Sequence, residues 1–197
     1  MLVFWQERLV MLAVPKTGTT SLEEALAPRA GLVLRHPTSI KHMVLQRYQR
    51  TIRPMLENAG GTDFETLTVV REPVSWLSSW YRYRHRDALV GHPNSTRGVS
   101  FDYFVTEYLK PKPAAYASVG QQARYVFNSA GERKATHLFR YENQPRLVKF
   151  LEKRLRTKID LPRVNVSPEL PTILSPDVEA ELRAARPLEF AAWDLAG

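Results

Sequence analysis

The stretch VPKTGTTSLEEAL, residues 14–26, decides how this chain is read. Before it runs Leu9-Val10-Met11-Leu12-Ala13-Val14, short, apolar and rich in strand formers, which predicts a buried strand. After it, Leu22, Ala25 and Leu26 recur at helical spacing, and Glu23 and Glu24 fall in the predicted first turn, where the helix dipole favours negative charge. The stretch therefore reads strand, tight loop, helix. In such a turn the unpaired N–H groups of the first helical residues converge, and the hydroxyls of Thr17, Thr19, Thr20 and Ser21 surround Gly18. The loop is predicted to cradle an anion, with Lys16 supplying the charge.

Working outward, the chain alternates. Gly31 to Leu34 is a second short strand, and Thr38 or Ser39 can cap a helix running through Met43 and Tyr48 towards Leu56. Leu67-Thr68-Val69-Val70 is a third strand, and Pro73 suits the first turn of the helix after it, which carries Trp76, Leu77, Trp80 and Tyr81. Ser100 caps a short helix, Gly120 to Asn128 suggests another, and His137 to Tyr141 is a fourth strand. Leu147, Phe150, Leu151 and Leu155 mark an amphipathic helix, and a last one starts at Ser175-Pro176. Strands alternating with helices predict a single α/β domain over residues 1–197, with a mostly parallel sheet flanked by helices in a P-loop-like nucleotide-binding architecture.

Composition bounds the chemistry. The 197 residues, 44% hydrophobic, suffice for one domain with a real core. With no cysteine there is neither a disulfide framework nor a thiolate metal site, and the five histidines lack zinc-ligand spacing, so no metal is expected. The first residues carry Glu7 and Arg8 and run straight into the loop; they fit a strand or hairpin better than a signal peptide or membrane span, and a cytoplasmic location is expected. A net charge of +8 favours anionic partners.

Ligands of such sheets bind at the carboxyl ends of the strands, and two cations fall there. One is Lys16. The other is Arg71, directly after the third strand, followed by Ser78 and Ser79 on the next helix. A guanidinium fork beside a serine hydroxyl suits a phosphate, although an ion pair with Glu72 would also satisfy Arg71. Two anion sites imply a ligand with two separated anionic groups. A Walker-type ATP or GTP site requires lysine after the last glycine, whereas Lys16 precedes Gly18. Neither the Leu67–Val70 run nor the His137–Tyr141 run is followed by the aspartate that such sites use for Mg²⁺.

These residues resemble the PAPS-dependent sulfotransferases, in particular their bacterial and carbohydrate-type branch. PKTGTTSL, Pro15 to Leu22, is similar to the family's first signature; Arg71, Pro73, Ser79 and Tyr81 are similar to its second. The segments LFRYENQPRLVKFLEKRL and LPRVNVSPE also look like the family's C-terminal half, so the resemblance spans nearly the whole chain. It implies that Pro15, Lys16, Thr17, Gly18, Thr19, Thr20 and Ser21 hold the 5′-phosphosulfate of 3′-phosphoadenosine-5′-phosphosulfate (PAPS), and that Arg71 and Ser79 hold its 3′-phosphate. The sequence departs from the family at Trp76, where many members carry a second arginine; Arg82, Arg84 or Arg124 could replace it.

The implied reaction is attack by an acceptor hydroxyl on sulfur, without metal, with Lys16 neutralising the departing oxygen. A histidine suits the general base, and His42 matches the family position more closely than His36. Both histidines also fit surface or structural roles, and the residues alone leave that choice open. Arg124 and Tyr125 fit a ligand contact or a helix surface, and Asn165 and Ser167 fit a nucleotide-closing loop or a plain polar turn. In WYRYRHR the aromatic residues at helical spacing read as core or cleft lining rather than as a nucleic-acid patch, so no nucleic-acid partner is expected. The resemblance implies an acceptor hydroxyl on a small molecule, a carbohydrate or a lipid-linked group, and the residues alone leave that choice open. The alternatives are an ATP-dependent kinase of related topology and a non-catalytic binder of nucleotides or polyanions.

Overall fold

A computed structural model describes residues 1–161 and 170–197. Five strands form one sheet in the order β3-β1-β2-β4-β5: β1 is Leu2–Phe4, β2 Leu9–Leu12, β3 Leu32–Val33, β4 Glu65–Val70 and β5 His137–Arg140. The helices are α1 (Thr19–Leu26), α2 (Thr38–Lys41), α3 (Leu45–Asn58), α4 (Pro73–Arg84), α5 (Phe101–Leu109), α6 (Gln144–Leu155), α7 (Pro176–Ala185) and α8 (Pro187–Asp194). No described helix is long and apolar enough to cross a membrane.

The sheet is mixed rather than mostly parallel. β2, β4 and β5 run parallel, but β1 pairs antiparallel with both β2 and β3. The reason lies in residues 1–12: Phe4 pairs with Leu9 across a tight turn, so a hairpin takes the place beside β2 that a crossover strand would have filled. The Gly31–Leu34 strand is then left to pair with the far side of β1.

Along β2 the side chains alternate between faces. Leu9 and Met11 pack with Leu22, Leu26, Leu67, Val69, Leu147 and Leu151, under α1 and α6. Val10 and Leu12 pack with Leu45, Tyr48 and Leu56, under α3. A strand buried on both faces reads as the unbroken apolar run seen in the sequence.

Three predicted helices differ. The one expected from Thr38 to Leu56 breaks at His42–Val44 into α2 and α3, because the His42 carbonyl turns out to accept a hydrogen bond from the Tyr125 hydroxyl at 2.7 Å. Gly120–Asn128 forms only a 3₁₀ turn, Gln122–Tyr125, since Lys134 and Ala135 N–H groups take the Val126 carbonyl. The last helix is two, with Pro187 opening α8. Glu23 is also not a first-turn dipole partner. It is buried one turn later and pairs with Arg35 and with Lys41 (3.0 Å), tying α1 to the chain after β3.

Candidate anion-binding site

β2 and β4 are parallel neighbours, so the segments leaving their carboxyl ends lie side by side. The Arg71 Nη1 donates to the Lys16 carbonyl at 3.5 Å. The loop owes its shape to two left-handed residues, Lys16 (φ 66°) and Gly18 (φ 72°). Glycine takes that conformation freely; lysine does so at a cost of about 1 kcal/mol, a strain characteristic of functional loops. Gly18 then caps α1 without a side-chain partner, so the N–H groups of Thr19, Thr20 and Ser21 start the helix unsatisfied by any capping oxygen.

Two contacts fix the loop from below. The Thr17 hydroxyl, fully buried, donates to the Val14 carbonyl at 2.9 Å, so it braces the turn and leaves only its backbone for a ligand. The buried Trp76 indole N–H donates to the Pro15 carbonyl at 2.9 Å. Trp76 therefore serves as a strut under the loop.

Lys16 lies with its ammonium 4.2 Å from the centre of the Tyr83 ring and 5.9 Å from Trp80, both on α4. Burial, then the charges of Arg86, Arg71 and Arg82, lowers its pKa to about 8. None of these four cations has a carboxylate within 4 Å among the described residues. Glu72, the acid that could have paired with Arg71, instead caps α4, accepting from Val74 and Ser75 N–H. Burial and the neighbouring cations lower the pKa of both Lys16 and Arg71, which makes this cluster a candidate site for an anion.

Arg71 is held from three directions. Its Nε donates to the Ser75 hydroxyl at 2.9 Å, its guanidinium lies 4.6 Å from the Tyr141 ring centre, and the Gln122 side chain grips its backbone at both N–H (2.8 Å) and carbonyl (2.9 Å). Ser79 is buried one turn further along α4, and Ser78 instead bonds Thr172 and Arg82. Ser75, Tyr141 and Gln122 were not singled out from the sequence. Ser75 was open to that reading, being four residues after Arg71; Gln122 is 51 residues away and gives no local signal. Of the other arginines singled out, Arg82 donates to the Ser78 and Thr172 hydroxyls, close enough to contribute to the lowered Lys16 pKa, Arg84 is spent on the Ala115 and Ser118 carbonyls, and Arg124 is exposed on the 3₁₀ turn.

His42 and His36 separate clearly. The His42 Nδ1 lies 2.6 Å from the Ala13 carbonyl, three residues before Lys16. A carbonyl only accepts, so neutral His42 carries its proton on Nδ1 and leaves the Nε2 lone pair available. Burial holds its pKa below the usual histidine range, against the Ala13 contact. His36 is exposed before α2. Tyr125 is buried against α3, which removes it from the ligand contacts. Asn165 and Ser167 lie outside the described residues. Among the described residues, no group of three His, Asp or Glu side chains is placed to hold a metal.

Compared with known protein families, curated proteins and solved structures, the chain matches none. The geometry defines an α/β domain with a mixed five-stranded sheet, in which Lys16 and Arg71 follow the carboxyl ends of two adjacent parallel strands.

Proposed function

We propose that this protein is a sulfotransferase that moves a sulfuryl group from PAPS to the hydroxyl of a small-molecule or carbohydrate acceptor. The observation that carries the reading is the pairing of Lys16 and Arg71 on adjacent strand ends, within a cluster of four cations that lacks carboxylate partners among the described residues. It suits a donor with anionic groups at both its 5′ and 3′ positions, and the motif resemblance supplies the chemical identity.

When bound, PAPS supplies an electrophilic sulfur attached through oxygen to a phosphate. The residues do the rest. The N–H groups at the start of α1 hold the 5′-phosphate without reorganising, and Arg71 and Ser79 hold the 3′-phosphate. His42 Nε2 accepts the acceptor's hydroxyl proton as the new oxygen–sulfur bond forms, and Lys16, cationic at neutral pH, neutralises the oxygen left on phosphorus as its bond to sulfur breaks. The products are the sulfate ester and adenosine 3′,5′-bisphosphate.

Thermal unfolding with three ligands tests this. Adenosine 3′,5′-bisphosphate without Mg²⁺ should raise the melting temperature; at a hundredfold excess over Kd the gain is about 2.7 kcal/mol. Stabilisation only by ATP with Mg²⁺ overturns the reading in favour of a kinase, and stabilisation only by heparin in favour of a polyanion binder.

A further inference from the structure

On the opposite side of the sheet from β3, the outer edge of β5 lies at the floor of a groove of about 510 Å³. α6 forms one wall and the end of the chain around Leu195 the other. We propose that this groove takes an extended acidic peptide segment as an added strand alongside β5. The proposal is independent of the sulfotransferase reading.

The open edge follows from register. The Tyr141 N–H donates to the Val70 carbonyl at 2.7 Å, so in this parallel ladder Tyr141, Phe139 and His137 face β4 while Leu138 and Arg140 turn their backbone groups outward. The edge is closed at both ends: the Arg133 guanidinium donates to the Thr136 carbonyl at 3.0 Å, and the Arg140 carbonyl accepts from Asn143 N–H at 3.1 Å. Between them the Leu138 N–H, the Leu138 carbonyl and the Arg140 N–H face outward with no hydrogen-bond partner among the described residues. An extended peptide satisfies such groups through its own main chain.

Charge sets the kind of peptide. Arg146, Lys149 and Lys153 recur at i, i+3 and i+7, which puts them on one face of α6 lining the groove, and Arg133 stands at its foot. All four are exposed, and none has a carboxylate within 4 Å among the described residues. Of the acids on β4 and α6, Glu65 is engaged with His137 and Arg154 and Glu152 with the Ile159 N–H; Gly197 also lines the groove, beside Leu195. Phe150, half-buried and 5.0 Å from Phe139 between ring centres, adds an apolar step to the same wall. An added strand presents alternate side chains to each wall, so the fitting sequence has Asp or Glu at every second position, facing α6. Basic residues beside an open edge also occur as guards against edge-to-edge pairing, and that role predicts no ligand.

The test is fluorescence anisotropy with a labelled peptide of about six residues, the length of an ordinary strand, alternating Glu with Val or Thr. Its comparators are the same peptide N-methylated at alternate residues, the same peptide with Gln for Glu, and a heparin-derived oligosaccharide. We expect the acidic peptide to bind, and N-methylation and the Gln exchange each to weaken it about tenfold or more. Lys149→Glu with Lys153→Glu should weaken it similarly, while leaving circular dichroism and the response to adenosine 3′,5′-bisphosphate unchanged. Binding insensitive to methylation, binding unaffected by the lysine changes, binding of the oligosaccharide alone, or no binding at all each overturns the proposal. The result is separable from the proposed function, because neither lysine lies at the Lys16 loop.

Discussion

Lys16 is asked to hold a positive charge in a place that opposes it. It is partly buried, strained at φ 66° and surrounded by Arg71, Arg82 and Arg86, which together bring its pKa from 10.5 to about 8. Nothing in the core depends on that charge, so replacing it by a neutral chain of similar length should stabilise the empty protein. We predict that Lys16→Met raises unfolding stability at neutral pH by about 1–2 kcal/mol, less than the full shift implies because the side chain is partly solvated. The sign follows from proton binding. Between about pH 8 and 10.5 the unfolded chain holds this proton and the folded one does not, so wild-type stability rises across that window and the advantage of the variant disappears. Under the proposed function, the same substitution should remove sulfuryl transfer. Urea titrations of both proteins across the window, with a radiolabel transfer assay at neutral pH, check this; a variant less stable than wild type throughout would show that Lys16 supports the fold.

At the scale of elements, the break between α2 and α3 does what an unbroken helix could not, since it turns His42 inward to the Ala13 carbonyl while leaving His36 outside. His42→Ala should therefore cost on the order of 10²–10⁴-fold in turnover with little change in donor binding, and His36→Ala should cost little in either. Steady-state rates and bisphosphate titration of the two variants separate binding from chemistry, and a larger loss for His36→Ala reverses the assignment. The elements most legible in the sequence were those whose signal is local. β2, the Lys16 turn, α4 behind Pro73 and α6 follow from apolar period, breakers and caps within one stretch. The broken helix at His42 and the pairing of β3 with β1 depend on partners distant in sequence, such as Tyr125, which local pattern does not report, whereas the β1–β2 hairpin closes across one tight turn. The site divides in the same way: Lys16, Gly18 and Arg71 could be read from the chain, but the Trp76 strut and the Gln122 grip exist only once the sheet has brought their partners together.

Over the whole molecule, the last helix, α8, is linked to Arg71 through Gln122. Glu189 of α8 is 3% exposed and accepts hydrogen bonds from the Gln122 N–H at 3.1 Å and the Ala123 N–H at 3.0 Å; Gln122 in turn holds both backbone groups of Arg71. Burial is the dominant influence on this carboxyl and raises its pKa from 4.5 to about 7, against the pull of those N–H donors and of Arg186. Over that window the folded protein holds a proton that the unfolded chain has lost, so this group's contribution to stability is present below about pH 4.5, falls as pH rises and is gone above about 7. The opposite trend comes from Glu23 and Glu65, whose pKa values are lowered, so the Glu189 component emerges only as a difference between proteins. Glu189→Gln keeps the shape and one acceptor while removing the titration. We predict that the stability of wild type minus that of Glu189→Gln falls by up to about 3 kcal/mol between pH 4.5 and 7, and is constant above it. Paired thermal or urea unfolding at several pH values measures that difference directly. A difference that stays flat, or that rises with pH, would mean the two N–H donors hold Glu189 as a permanent carboxylate, and that α8 fixes the Gln122–Arg71 contact through charge rather than through a neutral buried acid.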